Sequence, residues 1–391
     1  MPKPLALSMN LFYSDRLLTA NGYQIVRTHG NLHKIKGFDS YNHLISINSF
    51  FSTEPKFDPV DRTGMAIGAV KFAKPRAWAV PQQPMDLNTA MAQRVQEICA
   101  LGKPVNIMWS GGIDSTAMLV AFLQYAPDLK QCRVIYSPWS TYEHPEFFKF
   151  LSSFSGLEKI DISGELYLTQ NFDGIYVSGN TGDEMHASLD QSFFDQVGFQ
   201  GLNQPYKDFF KAQGADDTLI DFCQQHFASA GRPIESVLEA RWWFYACCKL
   251  TSILYTTDLS LLCSGPTPFA ADRLIGFFDS AYYEQFIYFN IDCIIASDNY
   301  ATWKQHLKDF CFEFDGFDTW RRTKTKFSSV QTRIYGLKKQ ALNDRRGLFW
   351  LEDGSVVTVK TLPFFSAREW QVIEPQFRYL FRSVTGVNPS E

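Results

Sequence analysis

The stretch VNIMWSGGIDSTAMLVAFLQ, Val105 to Gln124, decides the fold. VNIMW is short, apolar and bounded by Pro104, which reads as a buried strand, and STAMLVAFLQ from Ser115 reads as a helix. Between them SGG turns the chain tightly. Working outward, CRVIYS (132 to 137), LEKIDI and GIYVSG supply further strands, with HPEFFKFLSSF (144 to 154) as a helix among them. Short buried strands alternating with helices are the mark of a parallel α/β sheet. Upstream, Asp86 to Ala100 has apolar residues at helical spacing behind an Asp86 cap. The run KPRAWAVPQQP (74 to 84) carries three prolines and reads as a linker, so a boundary is expected near residue 85.

Residues 1–84 read as a small β-rich region, with YQIVRTHG, NLHKIKG and HLISINSFF as its short β-like runs. Residues 85–190 then form the α/β core. Residues 191–391 form a mainly helical extension, including ESVLEARWWFYACCKLTSILY (235 to 255) and YATWKQHLKDFCFEF (300 to 314). One exception is LFWLEDGSVVTVKTL, where Asp353 and Gly354 sit between alternating apolar runs and predict a hairpin.

The chain has 391 residues, 45% of them hydrophobic and 20% charged, with a net charge of -4. That is the profile of a folded protein, and it argues against one that works by coating nucleic acid, which needs an excess of Lys and Arg. Eight cysteines show no C-x-x-C spacing, so neither a zinc knuckle nor a redox pair is signalled, and reduced buried thiols are expected. His29 and His33 lack a third ligand nearby. The N-terminus makes a poor secretory signal and no run is long enough to span a membrane, so a cytoplasmic protein is expected. Aromatic residues reach 16% and crowd beyond residue 190, where most should be core and some could line a flat substrate pocket.

The chemistry concentrates in two polar turns that follow strands. In SGGIDST (110 to 116), Gly111 and Gly112 let backbone N–H groups approach an anion, and the helix start adds partial positive charge. Ser110, Ser115 and Thr116 offer hydroxyl donors to a phosphate. Asp114 would repel that phosphate unless a cation lies between, which implies Mg²⁺. No lysine follows the second glycine, so this is not a Walker A loop. The second turn is YVSGNTGDEMHAS (176 to 188), again a strand running into glycine and two acids.

The spelling S-G-G-x-D-[ST] resembles the PP-loop of N-type ATP pyrophosphatases, the group with asparagine synthetases, NAD and GMP synthetases and several tRNA-modifying enzymes. The resemblance implies an adenine nucleotide α-hydrolase-like fold and cleavage of ATP between its α and β phosphates. Ser178, Gly179, Asp183 and Glu184 match the S-G-x-x-x-D-E turn of the asparagine synthetase-like branch. By that likeness Asp183 joins Asp114 in holding Mg²⁺, and Gly179 belongs to the nucleotide site. Asn180 stands where the family usually has an acid, which leaves Glu184 as the carboxylate to take its part. Lys324, Phe327 and Ser328 in WRRTKTKFSSV match a K-x-x-F-S segment, where the lysine would neutralise pyrophosphate. By analogy the backbone from Ile135 to Ser137 lines the adenine pocket. GFFDSAYYEQFIYF (276 to 289) is faintly similar to the family's P-F-L-D helix and otherwise reads as core. The likeness runs from residue 104 to about 335.

Glutamine-dependent members expose an N-terminal cysteine, whereas this chain begins Met1-Pro2-Lys3, so nitrogen is expected from ammonia or an amine. The expectation is therefore an AMP-forming carbon–nitrogen ligase that uses ATP and Mg²⁺ on small-molecule or peptide acyl and amine substrates. Two alternatives stand beside it. One is a PP-loop enzyme that adenylates a nucleic-acid base through the basic cluster from Arg321 to Arg333. The other is an inert nucleotide-binding protein.

Overall fold

A computed structural model describes residues 11–12, 38–51, 61–63, 76–136, 138–161, 172–250, 274–324, 345–350 and 356–361. Its centre is a five-stranded, all-parallel sheet of β1 (Val105–Met108), β2 (Cys132–Tyr136), β3 (Glu158–Asp161), β4 (Ile175–Ser178) and β5 (Leu274–Gly276). The strands lie in the order β3-β2-β1-β4-β5. β1 is central: Val105 pairs with Cys132 on one side and with Ile175 on the other. A strand covered on both faces must be apolar throughout, and Val105, Ile107, Val134, Ile175 and Val177 are all buried. Asn106 is the exception, and its amide donates to the carbonyls of Asp173 and Ile175.

From β1 the chain winds outward through β2 to β3, then returns to the far side of β1 as β4. The strand order therefore reverses between β1 and β4, and in such sheets ligands bind outside the carboxyl ends of the strands at that reversal. Both glycine turns leave the sheet there.

In chain order the helices are α1 (Phe38–Phe51), α2 (Leu87–Cys99), α3 (Ile113–Tyr125), α4 (Pro138–Glu143), α5 (Pro145–Leu151), α6 (Gly182–Met185), α7 (Gln191–Asn203), α8 (Tyr206–Ala212), α9 (Asp217–Ala228), α10 (Val237–Phe244), α11 (Ala281–Phe289), α12 (Gln305–Asp315) and α13 (Asp318–Thr323). Asp86 caps α2 by accepting from the Thr89 N–H, as expected. α2 and α12 both pack against α3, the helix that carries the first turn. Among the described residues no helix is long and apolar enough to cross a membrane.

The N-terminal region differs from expectation. HLISINSFF is helical, inside α1, and the other two β-like runs, with His29 and His33, lie outside the described residues. β-branched and aromatic content suggested strand, but the apolar residues Leu44, Ile47 and Phe51 recur at helical spacing and are buried. Phe51 packs on Phe210 and Phe244 of the helical extension, so the core runs across the expected boundary at residue 85. The proline-rich run is a packed strap. Its Trp78 meets Trp243 edge-on at 4.8 Å, and Arg76 pairs with Asp279 and Glu284. Trp242 and Trp243 are fully buried, each contributing on the order of 2–3 kcal/mol of apolar burial. The aromatic excess is thus mostly core. The expected hairpin is present: Arg345–Trp350 pairs antiparallel with Val356–Thr361, and Leu11–Phe12 adds a third strand.

Candidate functional site

The first turn is built for close backbone approach. Gly111 has φ +80°, and a Cβ there would lie 2.5 Å from the Ser140 carbonyl oxygen, so only glycine fits. Gly112 begins α3 with no side-chain cap, which leaves the first N–H groups of a 13-residue helix facing the turn. Ser110 and Ser115 hold the turn in shape. Their hydroxyl oxygens are 2.9 Å apart, the Ser110 N–H donates to Ser115 Oγ, and Ser115 Oγ donates to the Gly112 carbonyl. Thr116 is placed differently from expectation. It is fully buried and its hydroxyl accepts from the Trp109 indole N–H, because the fourth residue of the helix turns back over the sheet; it locks β1 to α3 and does not face an anion.

The second turn presses directly onto the first. A Cβ at Gly179 would lie 2.8 Å from the Ser115 nitrogen, and one at Gly182 only 2.2 Å from Asp114 Oδ1. Two glycines therefore bring Asp183 beside Asp114. Both carboxylates converge on one ammonium group: Lys304 Nζ is 2.5 Å from Asp114 Oδ2 and 2.6 Å from Asp183 Oδ1. Lys304 is 1% exposed, while the Asp114 and Asp183 side chains keep 18% and 25% of their surface open toward the crevice.

Sequence reasoning missed Lys304 because it read residues 300 to 314 as one helix. Instead a 3₁₀ turn, Tyr300–Thr302, ends in Lys304 at φ 55°, ψ 32°, and α12 starts afresh. That left-handed residue, uncommon for lysine, aims the side chain across to the acids. Lys308, one turn on, is buried and donates to the carbonyls of Ala301 and Lys324. Burial, with the Lys304 charge as a smaller cause, pushes its amine down to about 8 even though Asp309 pulls the other way.

Lys324, at the end of α13, reaches the same place from the other side. Its Nζ is 2.6 Å from Glu143 Oε1, and a Cβ on Gly112 would lie 3.7 Å from that oxygen. Glu143 was also missed, since nothing local marks a lone glutamate in a short helix. The pair is aligned by a stack: His144 lies flat on Trp320, centroids 4.6 Å apart at 8°. His144 is held neutral, its pKa pushed down to about 3 by burial first and by Lys324 second.

Glu184 is 2% exposed and turned to Lys249, 3.1 Å away on the π-turn Tyr245–Lys249, so it braces the turn from behind while Asp114 and Asp183 share Lys304. Asn180 is exposed at the rim and its N–H donates to Ser178 Oγ. Ser137, Phe327 and Ser328 lie outside the described residues, as do Lys326 and Arg333. Within the basic cluster, Arg321 pairs with Asp309 and Asp318, and Arg322 with Asp318, which leaves less positive charge for a nucleic-acid backbone.

A surface cleft of about 770 Å³ lies elsewhere, lined by Tyr206, Phe227, Arg232 and Glu239 among others, and includes none of the residues expected from the sequence. All seven described cysteines are free and six are buried. No family model matches this chain, and no curated protein matches it.

Proposed function

We propose that the chain is an ATP-dependent, AMP-forming carbon–nitrogen ligase of the asparagine synthetase-like kind, joining a carboxylate to ammonia or an amine. One observation carries the reading: two glycine turns meet at the strand-order reversal and set Asp114 and Asp183 on a single cationic point.

The Asp114 and Asp183 side chains fit Mg²⁺. They are oxygen donors, as a hard cation requires, they open on the crevice, and the ammonium between them shows that their geometry accepts positive charge. Asp114 and Asp183 would hold the ion, which when bound neutralises a departing pyrophosphate. The N–H groups of the first turn, with Ser110 and Ser115, bind phosphate oxygens. Lys304 keeps the two carboxylates in register, and Lys324, steadied by Glu143, supplies a compact positive charge over the turn. In the reaction a substrate carboxylate oxygen attacks the α-phosphorus and the bond to pyrophosphate breaks. An amine nitrogen then attacks the acyl carbon, releases AMP and loses a proton to leave the amide.

The test is nucleotide separation after incubation with ATP, Mg²⁺ and panels of acids and amines. AMP and pyrophosphate that appear only with an acid present support the ligase. ADP and phosphate as products would overturn it. ATP binding without pyrophosphate release under any substrate set would leave a nucleotide-binding protein.

A further inference from the structure

Behind the crevice, three side chains meet in a closed space that the ligase reading does not use. His186 Nε2 and His306 Nε2 are 3.0 Å apart, and Tyr283 Oη is 2.8 Å from the first and 3.1 Å from the second. The three come from separate parts of the chain: the residue after α6, the face of α11 and the second residue of α12. His186 and Tyr283 are buried and His306 is half-buried beside them.

The hydrogen bonds fix where the ring protons are. His186 Nδ1 lies 2.5 Å from the Gly182 carbonyl oxygen and His306 Nδ1 lies 3.0 Å from that of Cys293. A carbonyl only accepts, so each Nδ1 carries the hydrogen and each Nε2 presents a lone pair. Three short contacts therefore share one proton, that of the Tyr283 hydroxyl. It satisfies one nitrogen, and the two Nε2 lone pairs still face each other at 3.0 Å in a part-buried position, a repulsive arrangement unless a cation lies between them.

We infer that His186, His306 and Tyr283 form a binding site for one divalent transition-metal ion of the zinc type, which staples α6, α11 and α12 together behind the crevice. Two imidazoles and one phenol oxygen are donors that suit zinc better than Mg²⁺ or Ca²⁺. Nitrogen–zinc bonds of about 2.0–2.1 Å place tetrahedral ligand atoms about 3.3 Å apart, so the triangle need open only by a few tenths of an ångström. Backbone carbonyls that hold both Nδ1–H groups are the outer contacts that orient ligating histidines.

Lys304 opposes a second cation nearby, and Asp114 and Asp183, each paired to its ammonium, offset that charge. On binding, the Tyr283 oxygen–metal bond replaces the O–H bond and one proton leaves for solvent.

The ion would hold His186 three residues from Asp183 and His306 two residues from Lys304, so it would set the register of the catalytic pair without touching substrate. A second cluster invites confusion with it. Asp61, His226, Cys247 and Cys248 place four ligand atoms within 4.8 Å of one another. There, however, the Trp243 indole N–H donates to His226 Nδ1, which puts the ring hydrogen on Nε2, toward Asp61, with no lone pair for a metal.

The experiment uses the full chain, free of any histidine tag, stripped by chelator and titrated with Co²⁺ or Zn²⁺ in excess Mg²⁺ so that the crevice carboxylates are occupied. Expected are one equivalent bound, one proton released, tyrosinate absorption and a rise in unfolding temperature. His306→Ala should weaken uptake at least tenfold. Tyr283→Phe, the milder change, should still bind Co²⁺, more weakly and with no proton release. No stoichiometric uptake by the wild-type chain overturns the site. So does unchanged uptake in His306→Ala, or a cobalt–thiolate band, which would put the metal at Cys247 and Cys248.

Discussion

Two buried polar clusters in this molecule look alike in composition and differ in what they leave open. At the strand reversal, Asp114 and Asp183 share Lys304, with glycines on both sides and the acids partly open to the crevice. Under the aromatic layer, Asp61 accepts from Thr63 and His226, His226 accepts from Trp243, and neither Asp61 nor His226 reaches solvent. Beside them Arg62 pairs with Glu284 at 2.7 Å, both buried. The first cluster concentrates charge where backbone N–H groups and solvent meet. In the second, the Asp61, His226 and Trp243 side chains pair with one another inside the core. Burial and charge alone do not separate a site from a structural network; what separates them is whether groups of like character converge on a point that something else can occupy.

The largest expected effect breaks the closed cluster. His226→Ala removes a buried ring and strands the Trp243 N–H and part of the Asp61 carboxylate, which should cost about 3 to 5 kcal/mol of stability. Urea unfolding reads this directly, and AMP formation per folded molecule should persist at low temperature. If activity fell as far as stability, the two clusters would be one functional unit. Asp114→Asn should do the reverse. Turnover falls at least about 100-fold, as for loss of a metal ligand, while the unfolding midpoint stays within about 3 °C. Unaltered turnover would remove Asp114 from the chemistry.

The same contrast explains what could be read from the sequence. The strands and α3 were legible because apolar runs and a glycine turn are local signals, and Asp114 and Asp183 were legible because each follows such a strand. Lys304 was not: no Gly, Pro or Asn marks the left-handed break, and its partners lie 190 and 121 residues away. His186, Tyr283 and His306 are similarly scattered, and each passes locally for a core or surface residue. HLISINSFF misleads for another reason: its β-branched and aromatic content points to strand, while the spacing of Leu44, Ile47 and Phe51 is helical. Thr116 was misleading because four residues past Gly112 its hydroxyl already lies on the sheet side of α3.

A smaller effect tests the geometry of the open cluster. The added methyl of Gly182→Ala would collide with the Asp114 side chain, so the carboxylate must swing off Lys304. A displacement of about 1 Å in such a group costs on the order of 10- to 100-fold in rate. Mg²⁺ dependence should shift to higher concentration, measured by pyrophosphate release, with little change in folding. A variant with wild-type Mg²⁺ dependence would show that the close contact between the turns has no part in holding the acids.

The smallest effect falls on His144, which borders the open cluster yet is as dry as the closed one. Its neutral ring stacks on Trp320 and so aligns Glu143 with Lys324. Because its folded pKa of about 3 lies below the ordinary 6.5, the unfolded chain takes up a proton first as pH falls. Its contribution is therefore complete above pH 6.5 and is lost progressively toward pH 3, at up to about 1.4 kcal/mol per pH unit. His144→Phe keeps the stack and removes the titration. Unfolding free energies at pH 7 and pH 5 should then differ less in the variant than in the wild type, by about 2 kcal/mol at most. Parallel acid limbs would mean that water reaches the ring, and that the open cluster extends under α13 to the Glu143–Lys324 pair.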